Sequence, residues 1–302
     1  MNTETDTIEG SWFEHMRSGD FESAWKLSDS VLALGLNRDF ERMPRHCQSI
    51  WDGSSLAGKK VLIRCYHGLG DSIQFIRYAP LVKKLASWVM VWAQPSLIEL
   101  FKTAKGIDRL LSLHDGVPGV SYDVDIEIME LPFAFRTTVS SIPAEIPYLS
   151  APPLTYPVKG ISIGLVWQAG DWNKERNIPF HFLRPLFAIK DVQYVILQEN
   201  LEKARWSPGL GFYPGKFNLF DYARIIKELD LLISVDSMPC HLAGALNVPV
   251  WTMLQKSADW RWMDTRTDSP WYPSMKLFRQ ERQGDWTHVV ERVAEELKML
   301  FD

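Results

Sequence analysis

The chain has 302 residues, enough for two α/β domains or one large one, and its 46% hydrophobic and 23% charged residues are ordinary for a globular protein. A net charge of −4 argues against non-specific nucleic-acid binding, which would need a basic face. Cys47, Cys65 and Cys240 show neither zinc-site spacing nor a disulfide framework, and the acidic N-terminus is unlike a signal peptide. We therefore expect a cytoplasmic protein.

Residues 1–50 predict a helical hairpin. Apolar residues at helical spacing suit two short helices on either side of residues 18–20, where Ser-Gly-Asp combines a helix stop with an N-cap. The pair resembles a single tetratricopeptide hairpin, and no second copy follows at the period of roughly 34 residues that a repeat array needs. One hairpin cannot bury its own apolar face. We expect it to dock on the next domain; the alternative is an independent module that binds a partner.

A strand, a glycine turn and a helix open the next predicted domain, residues 51–155. Residues 61–65 have the apolar, partly β-branched character of a buried strand. His67, Gly68 and Gly70 follow in a tight turn, where glycines tolerate positive φ and let another molecule approach the backbone. The helices that follow are expected at 71–87 and 95–104, and the strands at 88–93, 107–113 and 122–129. This alternation predicts a parallel sheet.

Asp71 stands where the helix after the glycine turn begins. The N–H groups and the dipole of a helix start favour an ionised carboxylate. A carboxylate at the mouth of a cleft can act as a general base. The simpler interpretation, which pattern alone favours, is that Asp71 only caps its helix.

Prolines at 143, 147, 152, 153 and 157 mark the boundary to a second α/β domain, residues 156–284, because they cannot all fit inside helices or central strands. The pattern predicts strands at 161–167, 192–197, 231–235 and 248–253, and helices at 220–229 and 239–246. Residues 285–302 form an amphipathic helix. The fold class is therefore α/β, with two Rossmann-like domains facing across a cleft.

The second domain contains one motif that suits an anion. A buried strand leads into Asp236 and Ser237, and a helix with Pro239 in its first turn follows. We expect Ser237 to be the N-cap, and the N–H groups of the helix start can bind a phosphate. His241 lies about one turn further on. The alternative is that Asp236 and Ser237 only cap the helix and that His241 is a packed core residue.

Two motifs, GLGDSIQFIRYAP at 68–80 and SVDSMPCHLAGALNVPVW at 234–251, together closely resemble the heptosyltransferase-like glycosyltransferases of family 9. The nearer resemblance is to bacterial members fused to tetratricopeptide repeats, and further matching stretches lie between residues 51 and 286. The resemblance implies a GT-B fold whose C-terminal helix, 285–302, crosses back onto the first domain. It also implies metal-independent, inverting transfer of a sugar from a nucleotide-diphospho-sugar, without a cofactor.

The resemblance assigns roles to particular residues. The acceptor would bind the first domain beside His67, Gly68 and Gly70, and Asp71 would accept its hydroxyl proton. The nucleotide diphosphate would bind the second domain. The loop 168–177 departs from the family pattern after its arginine, which leaves the choice of phosphate-binding residue between Lys174 and Arg176 open. The expected donor-site residues are Lys174, Arg176, Gln198, Asp236, Ser237, Met238 and His241.

Four further features have competing interpretations. Residues 123–125 resemble the metal-binding Asp-x-Asp of another glycosyltransferase fold, but they lie in a strand-like alternation, so we expect no metal site there. Arg77 and Tyr78 are expected to be ordinary groups on a helix surface, and Lys174 and Arg176 could be solvated loop charges. The aromatic residues Trp260, Trp262, Trp271 and Tyr272 suit a sugar platform or, as we favour, loop packing.

Function is open at three points. A silent GT-B scaffold protein, or an enzyme that epimerises or hydrolyses nucleotide sugars, would share the same motifs. The acceptor could be a glycan, a lipid-linked glycan or a protein, with peripheral association at the inner membrane left open. No pattern identifies the sugar or the base of the nucleotide.

Overall fold

The computed structural model describes residues 3–33, 51, 53–154, 160–171 and 173–301. Cys47, the last part of the hairpin region and Pro157 lie outside the described residues. The chain divides into two compact units: unit 1 comprises Met1–Leu149 and Asp259–Thr265, and unit 2 comprises Ser150–Ala258 and Arg266–Asp302. None of the helices in the described ranges has the length and apolar character needed to cross a bilayer.

Unit 1 contains a parallel sheet in the order β3-β2-β1-β4. Its strands are β1 (Lys60–Arg64), β2 (Trp88–Ala93), β3 (Arg109–Ser112) and β4 (Val124–Glu127). Strands β1 and β2 are buried beyond their first residue, as expected of parallel strands covered on both faces. The chain turns to opposite sides of β1 to reach β2 and β4. The carboxyl ends of β1 and β4 therefore flank the switch point at which open α/β sheets bind ligands.

The helices of unit 1 that follow the sheet strands are short. They are α3 (Leu69–Phe75), α4 (Ala79–Leu85), α5 (Ile98–Phe101) and α6 (Leu131–Ala134). The helix expected at 71–87 is divided by a 3-10 turn at Ile76–Tyr78. Pro80, at the start of α4, has no N–H to continue an α-helical ladder, which explains the break.

The N-terminal helices α1 (Thr3–Ser18) and α2 (Phe21–Ala33) pack on the rest of unit 1. The indole N–H of Trp25 donates to the Thr137 carbonyl at 2.6 Å. The guanidinium of Arg136 makes two hydrogen bonds to the Asp29 carboxylate, at 2.6 and 3.0 Å. These contacts support the docked hairpin over an independent module.

Unit 2 contains a second parallel sheet, in the order β6-β5-β7-β8-β9. Its strands are β5 (Ile161–Val166), β6 (Val192–Ile196), β7 (Leu231–Val235), β8 (Val250–Leu254) and β9 (Met275–Arg279). Its first three helices are α7 (Arg184–Phe187), α8 (Leu219–Ile226) and α9 (Met238–Ala245). The switch point lies between β5 and β7, since β6 and β7 flank β5 on opposite sides.

The C-terminal helix α10 (Trp286–Phe301) corrects one expectation. Its apolar face, which includes Val289, Val293 and Leu297, is buried in the core of unit 2 together with strand residues of that sheet. The helix therefore belongs to unit 2, whereas the resemblance places it on the first domain. The segment that does join unit 1 from the second half of the chain is Asp259–Thr265, which no sequence pattern indicated.

Candidate functional site

Each unit collects its expected site residues at its own switch point. In unit 1 the expected His67 and Asp71 follow β1, in the turn and in helix α3, and Glu127, which was not expected, is the last residue of β4. In unit 2 the loops after β5 and β7 carry Arg176 and Asp236. The carboxyl ends of neighbouring parallel strands lie at one edge of a sheet, so residues far apart in sequence meet there.

Asp71 is both a helix-capping group and a partly accessible carboxylate. Helix α3 has Gly68 as its N-cap, and Asp71 Oδ2 accepts a hydrogen bond from the Gly68 N–H at 3.0 Å. Asp71 Oδ1 accepts a second hydrogen bond from Arg261 Nη2 at 2.5 Å. The Asp71 side chain remains 22% exposed. Capping and an accessible carboxylate are therefore not exclusive at this position.

The glycines of the turn were expected to adopt positive φ, and the structure corrects this expectation. Their small size matters instead, because the turn is crowded. Gly68 has φ −62°, and Gly70 lies inside α3. A Cβ on Gly68 would lie 3.0 Å from Asp71 Oδ2, so a larger residue would push the carboxylate away from the turn by a few tenths of an ångström. The Gln94 amide donates to the His67 carbonyl at 2.5 Å and accepts from the Ser72 hydroxyl at 3.2 Å. These bonds hold the turn against the start of α3.

Glu127, which the sequence reading missed, is a buried acid at the end of β4. Its Oε2 accepts a hydrogen bond from the Met129 N–H at 2.6 Å and lies 3.8 Å from His67 Nε2. Burial, reinforced by the neighbouring Glu130 charge, raises the pKa of Glu127 to about 8. The available signal was its position: an acid at the carboxyl end of the strand that pairs with β1.

Arg77 and Tyr78 are buried, which corrects the expectation that they lie on a helix surface. Arg77 Nε donates to the Gln74 carbonyl at 2.7 Å, and Arg77 Nη2 donates to the Tyr148 hydroxyl at 2.9 Å. The Tyr78 hydroxyl lies 2.8 Å from Thr137 Oγ1, and burial raises the pKa of Tyr78. Both side chains fasten α3 and its 3-10 extension to the chain that leads out of the unit 1 sheet.

The Asp-x-Asp sequence at 123–125 has structural partners. Asp123 Oδ2 accepts from the Lys60 N–H at 2.8 Å, and Asp125 forms an ion pair with Arg64. Both acids therefore connect β4 to β1.

In unit 2, few backbone N–H groups at the start of helix α9 are available to bind an anion. Ser237 occupies the N-cap position, but its hydroxyl donates to the Val235 carbonyl at 3.2 Å and does not cap the helix. Pro239 has no N–H, and the Cys240 N–H donates to the Ser237 carbonyl at 3.1 Å. Within the part of the chain that the structure describes, the N–H groups of Ser237 and Met238 donate to no protein atom. They are the groups that an anion at this helix start would meet.

Arg176 and Lys174, which the sequence left undecided, have different surroundings. Arg176 is buried, and its Nη1 donates to the Asp236 carbonyl at 2.8 Å, directly before α9. Lys174 is exposed in the same 3-10 helix. The Arg176 guanidinium is therefore the cation beside the helix start.

Gln198 is engaged by the protein backbone. Its Oε1 accepts hydrogen bonds from the N–H groups of Trp167 at 2.9 Å and Gln168 at 2.8 Å, and its amide donates to the Glu199 carbonyl. Gln198 thus orders the loop after β5, which contains Arg176. Contact of Gln198 with a nucleotide stays a prediction.

His241 is buried and held by a tyrosine. Its Nδ1 lies 3.0 Å from the Tyr272 hydroxyl, and its Nε2 lies 3.9 Å from Asp236 Oδ1. Ligand atoms of Asp236, Cys240 and His241 lie within 4.8 Å of one another, close enough to hold a metal ion. Burial, reinforced by the Asp236 charge, raises the pKa of the Cys240 thiol, which donates to the Ser237 carbonyl. A metal at this point would have to displace the thiol proton.

The late aromatic residues pack inside the units. Trp260 in unit 1 and Trp271 and Tyr272 in unit 2 are buried, as is Trp262. Their faces are covered by protein, which supports loop packing over a sugar platform. Tyr272 has a site role only through His241.

Part of the chain is similar to a known protein family. Residues 196–297 match the family model for glycosyltransferase family 9 (heptosyltransferase). Protein FlbA of Caulobacter vibrioides is 27% identical over 289 residues, which cover 82% of this chain and 48% of that protein. The chain therefore spans about half the length of this curated relative.

Three solved structures share the fold at low sequence identity. The family 9 glycosyltransferase of Veillonella parvula has a TM-score of 0.57 at 14% identity, covering 82% of this chain and 99% of that chain. The iron-containing dodecameric glycosyltransferase TibC of enterotoxigenic E. coli has a TM-score of 0.56 at 13% identity, covering 82% of this chain and 78% of that chain. E. coli ADP-heptose LPS heptosyltransferase II has a TM-score of 0.54 at 14% identity, covering 80% of this chain and 98% of that chain. The family model and the shared α/β fold together confirm the resemblance to glycosyltransferase family 9 that the two sequence motifs predict.

Proposed function

We propose that the protein is a glycosyltransferase that moves a sugar from a nucleotide-diphospho-sugar to a hydroxyl group. One observation carries the proposal: a partly accessible carboxylate, Asp71, stands at the switch point of unit 1, and a cationic helix start stands at that of unit 2. Glycosyl transfer needs a proton acceptor and a stabiliser for a leaving diphosphate. The similarity to family 9 supports the same activity.

The donor diphosphate binds the start of α9. The N–H groups of Ser237 and Met238 and the positive end of the helix dipole stabilise the negative charge that develops as the diphosphate leaves. Arg176 adds a full positive charge at the same point. A metal ion is not needed for this stabilisation, so we propose metal-independent transfer.

The acceptor binds beside the glycine turn of unit 1. The acceptor hydroxyl attacks the anomeric carbon, the bond from that carbon to the diphosphate oxygen breaks, and Asp71 takes the hydroxyl proton. The electron pair of the broken bond leaves with the nucleoside diphosphate. Attack on the face opposite the leaving group inverts the anomeric configuration.

ADP-heptose is the first donor to test. E. coli heptosyltransferase II is named for it, and TibC has been solved in complex with ADP-D-β-D-heptose. We propose a donor of this class, a nucleoside diphosphate linked to a hexose or heptose, and a hydroxyl acceptor on a glycan, lipid-linked glycan or protein.

A thermal-shift screen tests donor binding. ADP-heptose and common UDP-, GDP- and dTDP-sugars are added to the full chain with EDTA present. We expect at least one donor to raise Tm by several degrees, because a ligand that binds only the folded state stabilises it. Arg176→Met should reduce that rise, and Lys174→Met, at an exposed site in the same loop, is the matched control.

Product analysis with and without a mixed acceptor extract then separates the functions. Transfer gives free nucleoside diphosphate together with a glycosylated product, whereas hydrolysis or epimerisation needs no acceptor. No Tm rise with any donor, together with no product, would contradict the proposal and favour a silent scaffold.

A further inference from the structure

The second partner of Asp71 comes from a distant part of the sequence. Arg261 belongs to the segment Asp259–Thr265, which is part of unit 1 although the chain on both sides of it belongs to unit 2. Its Nη2 lies 2.5 Å from Asp71 Oδ1, and its Nη1 lies 3.3 Å from Asp259 Oδ2. The Arg261 side chain is only 9% exposed. One buried cation therefore bridges two carboxylates.

The segment that carries Arg261 is firmly held. Asp259 accepts a hydrogen bond from the Arg261 N–H at 3.0 Å and caps the 3-10 helix Trp260–Trp262. The Trp260 ring stacks on Phe75 of α3, with centroids 6.4 Å apart and planes 16° apart. The guanidinium lies 5.5 Å from each of these two ring centroids. Its position is thus set from several sides.

The N-terminal hairpin supports the segment from behind. The rings of Trp12 and Phe21 meet Trp260 edge-on, at 5.8 and 5.9 Å between centroids. The Asp264 N–H donates to the Arg17 carbonyl at 3.1 Å. Met263, directly after the 3-10 helix, has a φ of 45°, a backbone conformation that residues other than glycine rarely adopt. Such strain persists only where the surroundings impose it, and it is frequent at functional sites.

Stability alone is a poor reason for this ion pair. Removing an arginine and a carboxylate from water costs about as much as their attraction returns, and apolar replacements are often neutral or stabilising. The pair instead fixes the plane of the Asp71 carboxylate, because Oδ1 is bound to Arg261 and Oδ2 to the Gly68 N–H. Each carboxylate oxygen has a second lone pair, so this clamp still leaves room for one more hydrogen bond.

We propose that Arg261 is a positioning residue for Asp71: it holds the carboxylate in the orientation that receives the proton of the acceptor hydroxyl. This inference rests on the proposed function. Arg261 keeps its second carboxylate partner, Asp259, when Asp71 becomes protonated, so the arginine remains in place through the transfer step. The Asp71 orientation is then ready for the next acceptor.

The test uses Arg261→Met, Arg261→Lys and Arg261→Ala in the full chain, with a donor found in the screen and transfer measured as nucleoside diphosphate release. We expect Arg261→Met to lower kcat by about 100-fold, the size of effect that misplacing a reacting group can have. The donor KM should change less than about 3-fold, since the donor contacts lie on unit 2. Arg261→Lys should retain an intermediate kcat, and added guanidinium chloride at tens of millimolar should restore part of the activity of Arg261→Ala.

Arg136→Met is the matched control, because it removes an ion pair of unit 1, with Asp29, that does not touch Asp71. Near wild-type kcat in folded Arg261→Met would overturn the inference, as would an equal loss in Arg136→Met or no rescue by guanidinium. If Arg261→Met does not fold, the charge-retaining Arg261→Lys and the guanidinium rescue decide. A wild-type chain that turns over no donor is a different failure: it overturns the proposed function, and the catalytic role of Arg261 with it.

Discussion

Two carboxylates at the switch point of unit 1 have opposite surroundings. Asp71 faces a guanidinium and a backbone N–H and is partly exposed. Glu127 is buried, and the nearby Glu130 charge opposes its ionisation. Hydrogen bonds from the Met129 and Tyr66 N–H groups and the charge of Arg64 offset this only in part. Asp71 is the carboxylate to which we assign the proposed base role, and Glu127 holds its proton more tightly than a free carboxyl does.

Glu127→Gln should remove a pH dependence of stability. A carboxyl whose pKa is raised to about 8 on folding binds a proton that the unfolded chain has lost, so its stabilising effect is present at low pH and is lost as pH rises through 8. Wild type should therefore lose several degrees of Tm relative to Glu127→Gln between pH 5 and pH 9.

Thermal unfolding at those two pH values measures the difference. His67 Nε2 lies 3.8 Å from Glu127 Oε2 and would form an ion pair with it if protonated, so His67→Asn is run in parallel. If the difference in Tm between wild type and Glu127→Gln is the same at pH 5 and pH 9, the Glu127 carboxyl is not buried.

Arg77→Ala should destabilise the protein by about 2–4 kcal/mol, because it leaves a buried carbonyl and a tyrosine hydroxyl without their charged donor. Urea unfolding measures the effect. Lys83→Ala, which removes a partly exposed cation in the same region, should cost under about 1 kcal/mol. Equal costs for the two variants would contradict the structural role of Arg77.

Residue roles were only partly accessible from the sequence. Asp71 and the Asp236–His241 motif stand at strand ends, where local pattern is informative. Arg261 acts on Asp71 across 190 positions of sequence, and no periodicity encodes such a contact. The burial of Arg77 was not predicted. Arg77 lies in a short 3-10 helix whose residues are all buried, whereas the pattern indicated a longer amphipathic helix with an exposed face.

Among the helices and strands, helix α9 packs closely against the Tyr272 ring. A Cβ on Gly244 would lie 2.3 Å from a ring carbon of Tyr272, so the helix and this ring touch directly. The same ring carries the hydroxyl that holds His241. Gly244 therefore lets the helix approach the ring whose hydroxyl lies 3.0 Å from His241 Nδ1.

Gly244→Ala should displace Tyr272, lower stability by about 1–3 kcal/mol and weaken nucleotide binding. Unfolding and donor thermal shifts measure both effects. Gly10→Ala, where a Cβ meets nothing within 4 Å in α1, is the control and should be neutral or slightly stabilising. A Gly244→Ala chain with unchanged Tm would contradict the packing.

Strands were predicted best where they are central and almost entirely apolar. Strands β2 and β7 have the predicted limits, because their burial leaves a run that Ser234 of β7 alone interrupts with a polar side chain. The edge strand β9 was missed, since Lys276 and Arg279 interrupt its short apolar pattern. The break after α3 was also missed, because it depends on Pro80 within an otherwise helical pattern.

For the whole molecule, chain order and spatial organisation differ in one respect. The chain passes from unit 1 to unit 2 after Leu149, within the proline-rich stretch, and returns to unit 1 for Asp259–Thr265 alone. This short return supplies Arg261 and is supported by the N-terminal hairpin. The hairpin, which resembles a tetratricopeptide repeat, thus contributes to the surroundings of Asp71 from the opposite end of the chain.

Transfer by Asp71→Asn tests the central claim most directly. Asparagine keeps the size of Asp71 but cannot accept the proton, and its single oxygen can accept from Arg261 or from the Gly68 N–H but not from both. We therefore expect a modest fall in Tm, while donor thermal shifts stay close to wild type. We expect nucleoside diphosphate release in the presence of acceptor to fall by about 100-fold or more, in the range that general bases contribute. Near wild-type release by a folded, donor-binding Asp71→Asn chain would contradict the account.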